Sequence, residues 1–210
     1  MRFLKPSSLL CSALALGVLA MPRLALAETE RYDFDKVHTQ ILFFVDHLGF
    51  SKSHGKFLDF DGGFVFDREH PENSNIDVVI KTDGLDMDDE KWDEHLKGPD
   101  FFNVEKFPDM RFKSTSIAVT GDQTADVTGD LTLLGVTKPV TLHVVHNKSG
   151  KHPFGGKYIS GFSATAHLNR SDFGMNYGVP AIGDEVQIRI EVEGVRQEEG
   201  IEQSGEKGNP

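Results

Sequence analysis

The sequence has a single cysteine, Cys11, which lies close to the N-terminus, so no disulfide can form within the chain. Residues 9–21 are apolar, follow a basic start, and lead to Ala25-Leu26-Ala27, the pattern that signal peptidase cleaves. We expect residues 1–27 to be a cleaved signal peptide and the exported chain to be free of cysteine. Export without disulfides favours the bacterial periplasm over animal secretions, where small domains usually carry disulfides.

Positive charge is scarce as well. The chain has 22 Lys and Arg against 33 Asp and Glu, a formal net charge of −11. Such an acidic protein repels phosphate backbones, so no nucleic acid is expected as a partner. No apolar run after the signal peptide is long enough for a transmembrane helix of about 20 residues.

Sequence motifs of catalysis and metal binding are also missing. There is no HExxH, no CxxC and no Gly-rich phosphate loop. The segment 161–165 lacks the closing glycine of a nucleophile elbow. His143 and His146 are an odd number of residues apart on a predicted strand and therefore face opposite sides. We predict no enzyme, no metal and no cofactor; a metal site assembled from distant histidines is the alternative.

Short segments of alternating apolar and polar residues make up most of the chain. The clearest is Glu185–Glu193, in which Val186, Ile188, Ile190 and Val192 share one face. Leu58, Phe60, Phe64 and Phe66 are predicted to share the face of another strand, with Gly62-Gly63 as a bend or bulge. The remaining predicted strands are the alternating segments 76–80, 112–119, 125–133, 140–144 and 162–168, and the segment 37–47, which is more apolar on both faces. About eight strands predict an all-β fold, either a closed antiparallel barrel or a sandwich.

One helical insertion is predicted at Leu85–Lys97, where Leu85, Trp92 and Leu96 share a face and Gly98-Pro99 provides the stop. The phenylalanines that follow, at positions 101, 102 and 107, require an apolar environment. The barrel domain is predicted at residues 28–194, followed by a disordered acidic tail at 195–210.

Phenylalanine dominates the aromatic residues, with 16 Phe against three Tyr and one Trp. A Phe ring has no polar group, which suits a cavity for a hydrocarbon and an ordinary core equally. The segment 160–166 is mostly small on both faces, and an eight-stranded barrel with one small-residue wall has room for a ligand. The alternative is that the helix or larger side chains fill this room.

A series of motifs runs in order through residues 32–193. They are Asp35-Lys-Val-His38-Thr39, Phe43-Phe44 with His47, Gly55-Lys-Phe57, Asp93-Glu-His95-Leu96, Asp100-Phe101-Phe102, Phe107-Pro108, Phe112-Lys-Ser-Thr115, Val127–Thr132, Gly135–Val140 and Arg170–Gly174. In this order they resemble the YceI-like family, periplasmic lipocalin-like barrels that bind polyisoprenoids. Thr39 stands where the family usually has Ser, and Trp92 where it usually has Arg.

The resemblance implies an eight-stranded antiparallel up-and-down barrel that is lipocalin-like and has one short helical insertion. Its apolar tunnel would hold a polyisoprenoid, such as an isoprenoid quinone or its precursor, in a carrier role. The predicted tunnel wall consists of Phe43, Val45, Phe60, Phe64, Phe66, Phe101, Phe102, Leu131, Leu142, Phe162, Ala164, Ile188 and Ile190. The vacant volume is assigned to small residues, namely Gly161, Ser163, Ala164 and Ala166.

The family pattern also implies a polar tunnel mouth that meets the head of the ligand. Its candidates are His38, His47, Asp93, His95, Arg170 and Asp172. The alternative for these residues is a structural network that fixes loops, with Arg170 paired to a carboxylate.

Contacts with other molecules follow from the resemblance alone. Some relatives are joined to b-type membrane cytochromes, which implies transient contact with a membrane or a membrane cytochrome. The oligomeric state is left open, with a homodimer as one option. Two other functions compete with the lipid carrier: a ligand-free interaction barrel, and a metalloprotein or enzyme built on the histidines.

Overall fold

A computed structural model describes residues 29–198, so the predicted signal peptide and most of the predicted tail lie outside the described part. The strands and the α-helix are β1 Glu30–Phe34, β2 Gln40–His47, β3 Ser51–Phe57, β4 Phe60–Phe66, β5 Asn75–Lys81, β6 Leu85–Asp86, α1 Glu90–Lys97, β7 Asp109–Gly121, β8 Thr124–Leu133, β9 Val136–Lys151, β10 Tyr158–Asn169 and β11 Ile182–Arg196. Strand β11 therefore extends two residues beyond the domain boundary predicted at residue 194.

The strands form a closed eight-stranded antiparallel barrel, as predicted. Strands β1 and β2 both pair with β11 and act as one interrupted barrel strand. Strands β3 and β4 form the next barrel strand and pair with β2 and β1, and β5 with β6 forms the third. Strands β7 to β11 follow in chain order, so every neighbour in sequence is also a neighbour in space. This is the up-and-down topology, and closure leaves no free sheet edge along the barrel.

The interruption between β1 and β2 is built by the first of the sequence motifs. Asp35 accepts a hydrogen bond from the Val37 amide at 2.9 Å, which turns the chain out of β1. Thr39 then attaches the start of β2 to β11, since its hydroxyl donates to the Glu193 carbonyl at 3.2 Å. The motif is thus a bend that keeps two short strands aligned along one long partner.

The interruption between β3 and β4 corrects one predicted strand face. Leu58 falls in the break and is 62% exposed, whereas Phe60 and Phe64 are buried as expected. Gly62 and Gly63 cause no change of register in their pairing with β5. Gly62 has φ +125°, and a Cβ on either glycine would lie 2.2 Å from a carbonyl oxygen of the adjacent strand. The two glycines permit close backbone approach rather than forming a bulge.

The helical insertion is shorter than predicted. Helix α1 begins at Glu90, because the Asp89 carboxylate caps it by accepting hydrogen bonds from the amides of Lys91 and Trp92 at 3.1 Å. Leu85 lies in strand β6, where it pairs with Phe57 and is 2% exposed. Pairing with β3 therefore overrides the helical spacing of Leu85. The helix ends at Lys97, before Gly98, as predicted.

The barrel has two distinct ends. The helix end comprises α1, the β2–β3 turn, the β8–β9 turn and the segment 170–181. The hairpin end comprises the β9–β10 loop, the β7–β8 turn and the β4–β5 connection, together with the start of β1 and the end of β11. Within residues 29–198, no helix is long and apolar enough to cross a membrane.

Candidate functional site

A cavity of about 780 Å³ runs through the barrel and is lined by residues from both ends. All thirteen residues predicted for the tunnel wall line it: Phe43, Val45, Phe60, Phe64, Phe66, Phe101, Phe102, Leu131, Leu142, Phe162, Ala164, Ile188 and Ile190. Further apolar residues that the predicted wall did not include complete the middle of the cavity: Ile76, Val78, Ile80, Phe112, Val127 and Val140. Each of these residues lies on a strand with clear alternation, so its parity in the sequence predicts the face that it shares with the other apolar residues of that strand.

Strand β10 contributes the small wall. Ala164 lines the cavity, and Ala166 is fully buried on the same face. Ser163 faces the outside instead, because its hydroxyl donates to the Glu191 carboxylate and accepts from Asn147 at 2.9 Å. Gly161 has the same parity as Ser163 and pairs with Glu193. Two of the four predicted small residues therefore leave volume inside, and the other two do not.

The two adjacent phenylalanines after α1 close much of the helix end. Phe101 and Phe102 are each 8% exposed and line the cavity. The Phe102 ring lies 6.3 Å from that of Phe43 and 5.5 Å from that of Phe57. Its amide donates to the Leu96 carbonyl at 2.9 Å, which fixes the segment to the helix.

Phe107 has a different function in the fold. Its ring packs on the β8–β9 turn, where a Cβ on Gly135 would approach it to 3.0 Å. Its carbonyl accepts a hydrogen bond from the Thr82 hydroxyl at 2.8 Å. Phe107 thus supports the helix end from outside the cavity.

Three of the six residues predicted for the polar mouth line the cavity at the helix end. His47 lies 5.9 Å from Trp92, and His95 lies 5.1 Å from Phe101, measured between ring centroids. Trp92 lines the cavity as well and therefore places an indole at this mouth. The third residue is Arg170.

The other three residues of the predicted mouth do not line the cavity. His38 accompanies Asp35 on the outside of the barrel, at a distance of 3.0 Å. Asp93 accepts a hydrogen bond from the Met87 amide at 2.7 Å and so fixes the start of the helical insertion. Asp172 is exposed and forms an ion pair of 3.4 Å with Lys138. The structure does not bring these three together with His47 and His95.

Arg170 is 3% exposed, and its guanidinium is committed to the backbone. It donates to four carbonyl oxygens, those of Gly183 at 2.8 Å, Met175 at 3.0 Å, Tyr177 at 2.8 Å and Ile182 at 3.2 Å. Burial lowers the pKa of Arg170, and the nearby Asp184 charge opposes that effect. Arg170 therefore organises the segment before β11 and the first residues of β11, with backbone carbonyls as partners rather than the carboxylate named in the structural alternative.

The hairpin end has a polar rim that the predicted mouth did not include. His146 lines the cavity between Phe66 and Phe162, with centroid distances of 5.3 and 5.1 Å. Its Nε2 lies 2.8 Å from the Ser149 hydroxyl. Burial lowers the pKa of His146, and the positive charge of Arg68 lowers it further. The sequence indicates this orientation, because His146 has the same parity on β9 as the inward-facing residues Val140, Leu142 and Val144.

Arg68 lines the cavity beside His146 and belongs to a charged network. Glu30 accepts hydrogen bonds from Arg68 at 3.0 Å, from Arg196 and from Tyr32. Burial opposes ionisation of Glu30, but the hydrogen bonds from Tyr32 and Arg196 outweigh it and lower the pKa of Glu30. Burial and the bond to Glu30 raise the pKa of Tyr32 to about 12.

A group of three potential metal ligands lies outside the cavity. Among residues 29–198, Asp35, His38 and Glu193 bring one ligand atom each within 4.8 Å of one another. The hydrogen bond and charge of Asp35 raise the pKa of His38, which favours its protonated form. A metal requires the neutral imidazole, so this electrostatic environment disfavours metal binding.

Comparison with known proteins gives consistent relatives. The YceI-like domain model matches residues 32–194. A UPF0312 protein of Pseudomonas putida is 46% identical over 187 residues, which cover 89% of this chain and 96% of that protein. A UPF0312 protein of Pseudomonas aeruginosa is 41% identical over the same length, with 89% of this chain and 97% of that protein covered.

Solved structures share the fold. The Campylobacter jejuni YCEI protein has a TM-score of 0.67 at 31% identity, covering 73% of this chain and 90% of its own. BcnA of Burkholderia cenocepacia has a TM-score of 0.70 at 24% identity, covering 77% of this chain and 99% of its own. A polyisoprenoid binding domain from Saccharophagus degradans, implicated in plant cell wall breakdown, has a TM-score of 0.62 at 12% identity and covers 79% and 98% of the two chains.

Proposed function

This chain belongs to the YceI-like family, and from that premise we propose that it binds a polyisoprenoid in the barrel cavity and acts as a periplasmic carrier of that lipid. The observation that supports the proposal is the distribution of polarity along the cavity. In the described part of the chain, the middle of the cavity is lined by aromatic and branched aliphatic side chains, and the polar lining residues gather toward the two ends.

Thr39 is a polar lining residue between the two ends, and its hydroxyl is already bonded to the backbone of β11 as donor and as acceptor. Its hydroxyl donates to the Glu193 carbonyl and accepts from the Glu193 amide at 3.3 Å. The middle of the cavity therefore offers a ligand apolar contact without hydrogen bonds. A long hydrocarbon satisfies this requirement, whereas a sugar or peptide would lose its hydrogen bonds to water.

Affinity for such a ligand must come from apolar area removed from water. A volume of 780 Å³ lies within the range of about 300–1,000 Å³ typical of ligand sites. Each buried methylene contributes about 0.8 kcal/mol before the costs of association are subtracted. Several isoprenoid units in the cavity are therefore sufficient for tight binding.

The head of the ligand is proposed to be uncharged or weakly polar, as in an isoprenoid quinone or its precursor. At the helix end, four of the five N–H donors of Arg170 are bonded to backbone carbonyls. At the hairpin end, Arg68 is paired with Glu30. A diphosphate head would have to displace these partners, whereas a quinone ring can stack on the rings of Trp92 or His146 at either mouth.

Extraction of the native protein tests this proposal. The protein would be purified without detergent, extracted with organic solvent, and the extract analysed by mass spectrometry. We expect one long isoprenoid chain per cavity. Protein that is folded yet contains no lipid, and that takes up none from isoprenoid quinone in solution, would favour the ligand-free interaction barrel.

The periplasmic location is a separate part of the proposal. It is supported by the sequence pattern that ends at Ala27, which lies outside the described residues. N-terminal sequencing of protein from the periplasmic fraction should give Glu28 as the first residue. A full-length product in the cytosol would contradict export. Contact with a membrane cytochrome and formation of a homodimer stay predictions from the family resemblance.

A further inference from the structure

The loop between β9 and β10 is basic in an otherwise acidic protein. Residues 131–171 contain no Asp or Glu, although the whole chain has 33. Lys148, Lys151 and Lys157 lie in and beside this loop and are exposed. In the described part of the chain, lysine ion pairs are formed by other residues, namely Lys36, Lys56, Lys81 and Lys138. We refer to residues 148–157 as the basic loop.

The tip of the basic loop presents an apolar ring to solvent. Phe154 is 93% exposed and stands between Pro153 and two glycines. The tip is ordered by hydrogen bonds from the His152 amide to the Lys157 carbonyl at 2.7 Å and from the Gly156 amide to the His152 carbonyl at 3.2 Å. A defined turn thus holds one large ring outward between lysine side chains.

The basic loop is attached to the rim of the cavity. Tyr158, the residue after the loop, lies under the guanidinium of Arg196 at 4.3 Å and accepts a hydrogen bond from Arg68, which lines the cavity. At the other side of the loop, Ser149 connects the cavity-lining His146 to Ser160 at 2.8 and 2.7 Å. A surface that contacts Phe154 therefore also lies beside one opening of the cavity.

The helix end shows an exposed ring with the opposite electrostatics. Phe50 is 89% exposed in the β2–β3 turn. That turn is held by an acid, because the Gly49 amide donates to the Asp46 carboxylate at 2.8 Å. The nearby start of the helical insertion adds four acidic residues, three of them consecutive at 88–90 and one at 93. Both ends thus expose one phenylalanine. The basic loop around Phe154 contains three lysines and no acid, whereas the turn around Phe50 has one neighbouring lysine, Lys52, among acids.

We propose that the basic loop is a docking site for the surface of an anionic lipid bilayer, with Phe154 inserted at the headgroup level and the three lysines on lipid phosphates. Lysines near an anionic surface attract it, and an aromatic ring beside them can enter the interface while the ammonium groups stay hydrated. Charges beyond a Debye length of about 8 Å are screened at physiological salt. Glu30, the acid of the adjoining network, is paired with Arg68 and Arg196 and opposes this attraction little. Docking in this orientation brings the hairpin opening of the cavity to the membrane.

This docking does not depend on what the cavity holds, so its test is separate from the extraction experiment. The whole protein would be sedimented with vesicles of phosphatidylcholine alone and with vesicles of equal parts phosphatidylcholine and phosphatidylglycerol. We expect binding to the anionic vesicles that weakens as salt is raised. Each Lys→Gln substitution at positions 148, 151 and 157 should reduce the partition coefficient about fivefold. Phe154→Ser should reduce it about tenfold.

Phe50→Ser is the matched control, because it removes an equally exposed ring from the acidic end. It should leave vesicle binding unchanged, and circular dichroism should show that every variant retains the barrel. Three results would overturn the proposal: no binding of the unaltered protein to anionic vesicles, full binding by the triple lysine variant, or an equal loss in Phe50→Ser. The first result would favour an acidic protein surface, instead of a membrane, as the partner of the basic loop.

Discussion

Arg170 donates a hydrogen bond of 2.8 Å from its Nε to the carbonyl oxygen of Gly183, across the segment that joins β10 to β11. The carbonyls of Met175 and Tyr177 in that segment, and of Ile182 at the start of β11, accept from the other guanidinium nitrogens. The Asp184 carboxylate completes the arrangement by accepting from both the amide and the hydroxyl of Ser171, and these bonds lower the pKa of Asp184. A cavity-lining arginine therefore serves to fold the helix end.

Arg170→Ala should destabilise the barrel more than it weakens lipid retention. The substitution leaves four carbonyls without their donor, and three of these carbonyls belong to buried or half-buried residues. We expect a loss of about 3 kcal/mol in the free energy of unfolding. Denaturant titration measures this loss. Lys138→Ala is the control, since it breaks only an exposed ion pair with Asp172 and should cost less than about 1 kcal/mol. An unchanged unfolding midpoint together with loss of bound lipid would instead make Arg170 a head-group ligand.

Much of the cavity wall could be predicted from the sequence, because alternation decides which side chains of a strand share a face. Phe60 and Ile188, on two alternating strands, both line the interior for this reason. The breaks in the strands could not be predicted in the same way. Leu58 fits the alternation but falls between β3 and β4, where its amide donates to the Gly84 carbonyl, and only the third barrel strand determines that position.

The polar residues of the site also divide into features that the sequence predicts and features that it does not. Arg170 has carbonyl partners, and carbonyls have no signature in a sequence, so the structural alternative named a carboxylate in their place. His146 was assigned a face opposite to His143, and the structure places it in the cavity and His143 on the exposed surface. The sequence could give this orientation by parity, whereas the aromatic surroundings of His146 depend on Phe66 and Phe162 from distant strands.

Acidification should destabilise the protein in part through His146. Its folded-state pKa is lowered by burial, so the unfolded chain binds a proton more readily. The stabilising contribution is complete above the unfolded pKa of about 6.5 and is lost as pH falls through the folded pKa. Unfolding free energies measured between about pH 7.5 and about pH 5 should fall less steeply in His146→Gln than in the unaltered protein.

His38→Gln is the informative comparison for the pH experiment. Asp35 raises the pKa of His38, so this residue contributes stability that is present below the unfolded pKa and is lost as pH rises through the folded pKa. Removing His38 should therefore make the loss of stability on acidification steeper, opposite in sign to His146→Gln. Equal slopes in the two variants would show that neither histidine controls the acid response.

Metal removal should have no effect on the folded protein. The group formed by Asp35, His38 and Glu193 is already held by the hydrogen bond between His38 and Asp35. We expect elemental analysis to find less than one zinc or iron per chain, and a chelator to leave the thermal unfolding midpoint unchanged. One tightly held metal per chain, lost in a His38→Ala variant, would favour the metalloprotein alternative.

Filling the cavity from the small wall is the sharpest test of the ligand site. Ala164 faces inward between Val144 and Ile190, its partners on the adjacent strands, so Ala164→Phe places a ring in the volume assigned to the lipid. Filling is preferred to truncation, because removing a wall phenylalanine would cost several kcal/mol of stability by itself. The added ring should cost at most about 1–3 kcal/mol, so the barrel should remain folded by circular dichroism. We expect the extract of this variant to contain little or no isoprenoid.

Thr165→Phe is the control, because residue 165 is the exposed neighbour on the same strand and its ring would lie outside the barrel. A folded Ala164→Phe protein that retains as much lipid as Thr165→Phe would place the ligand away from the wall formed by β10.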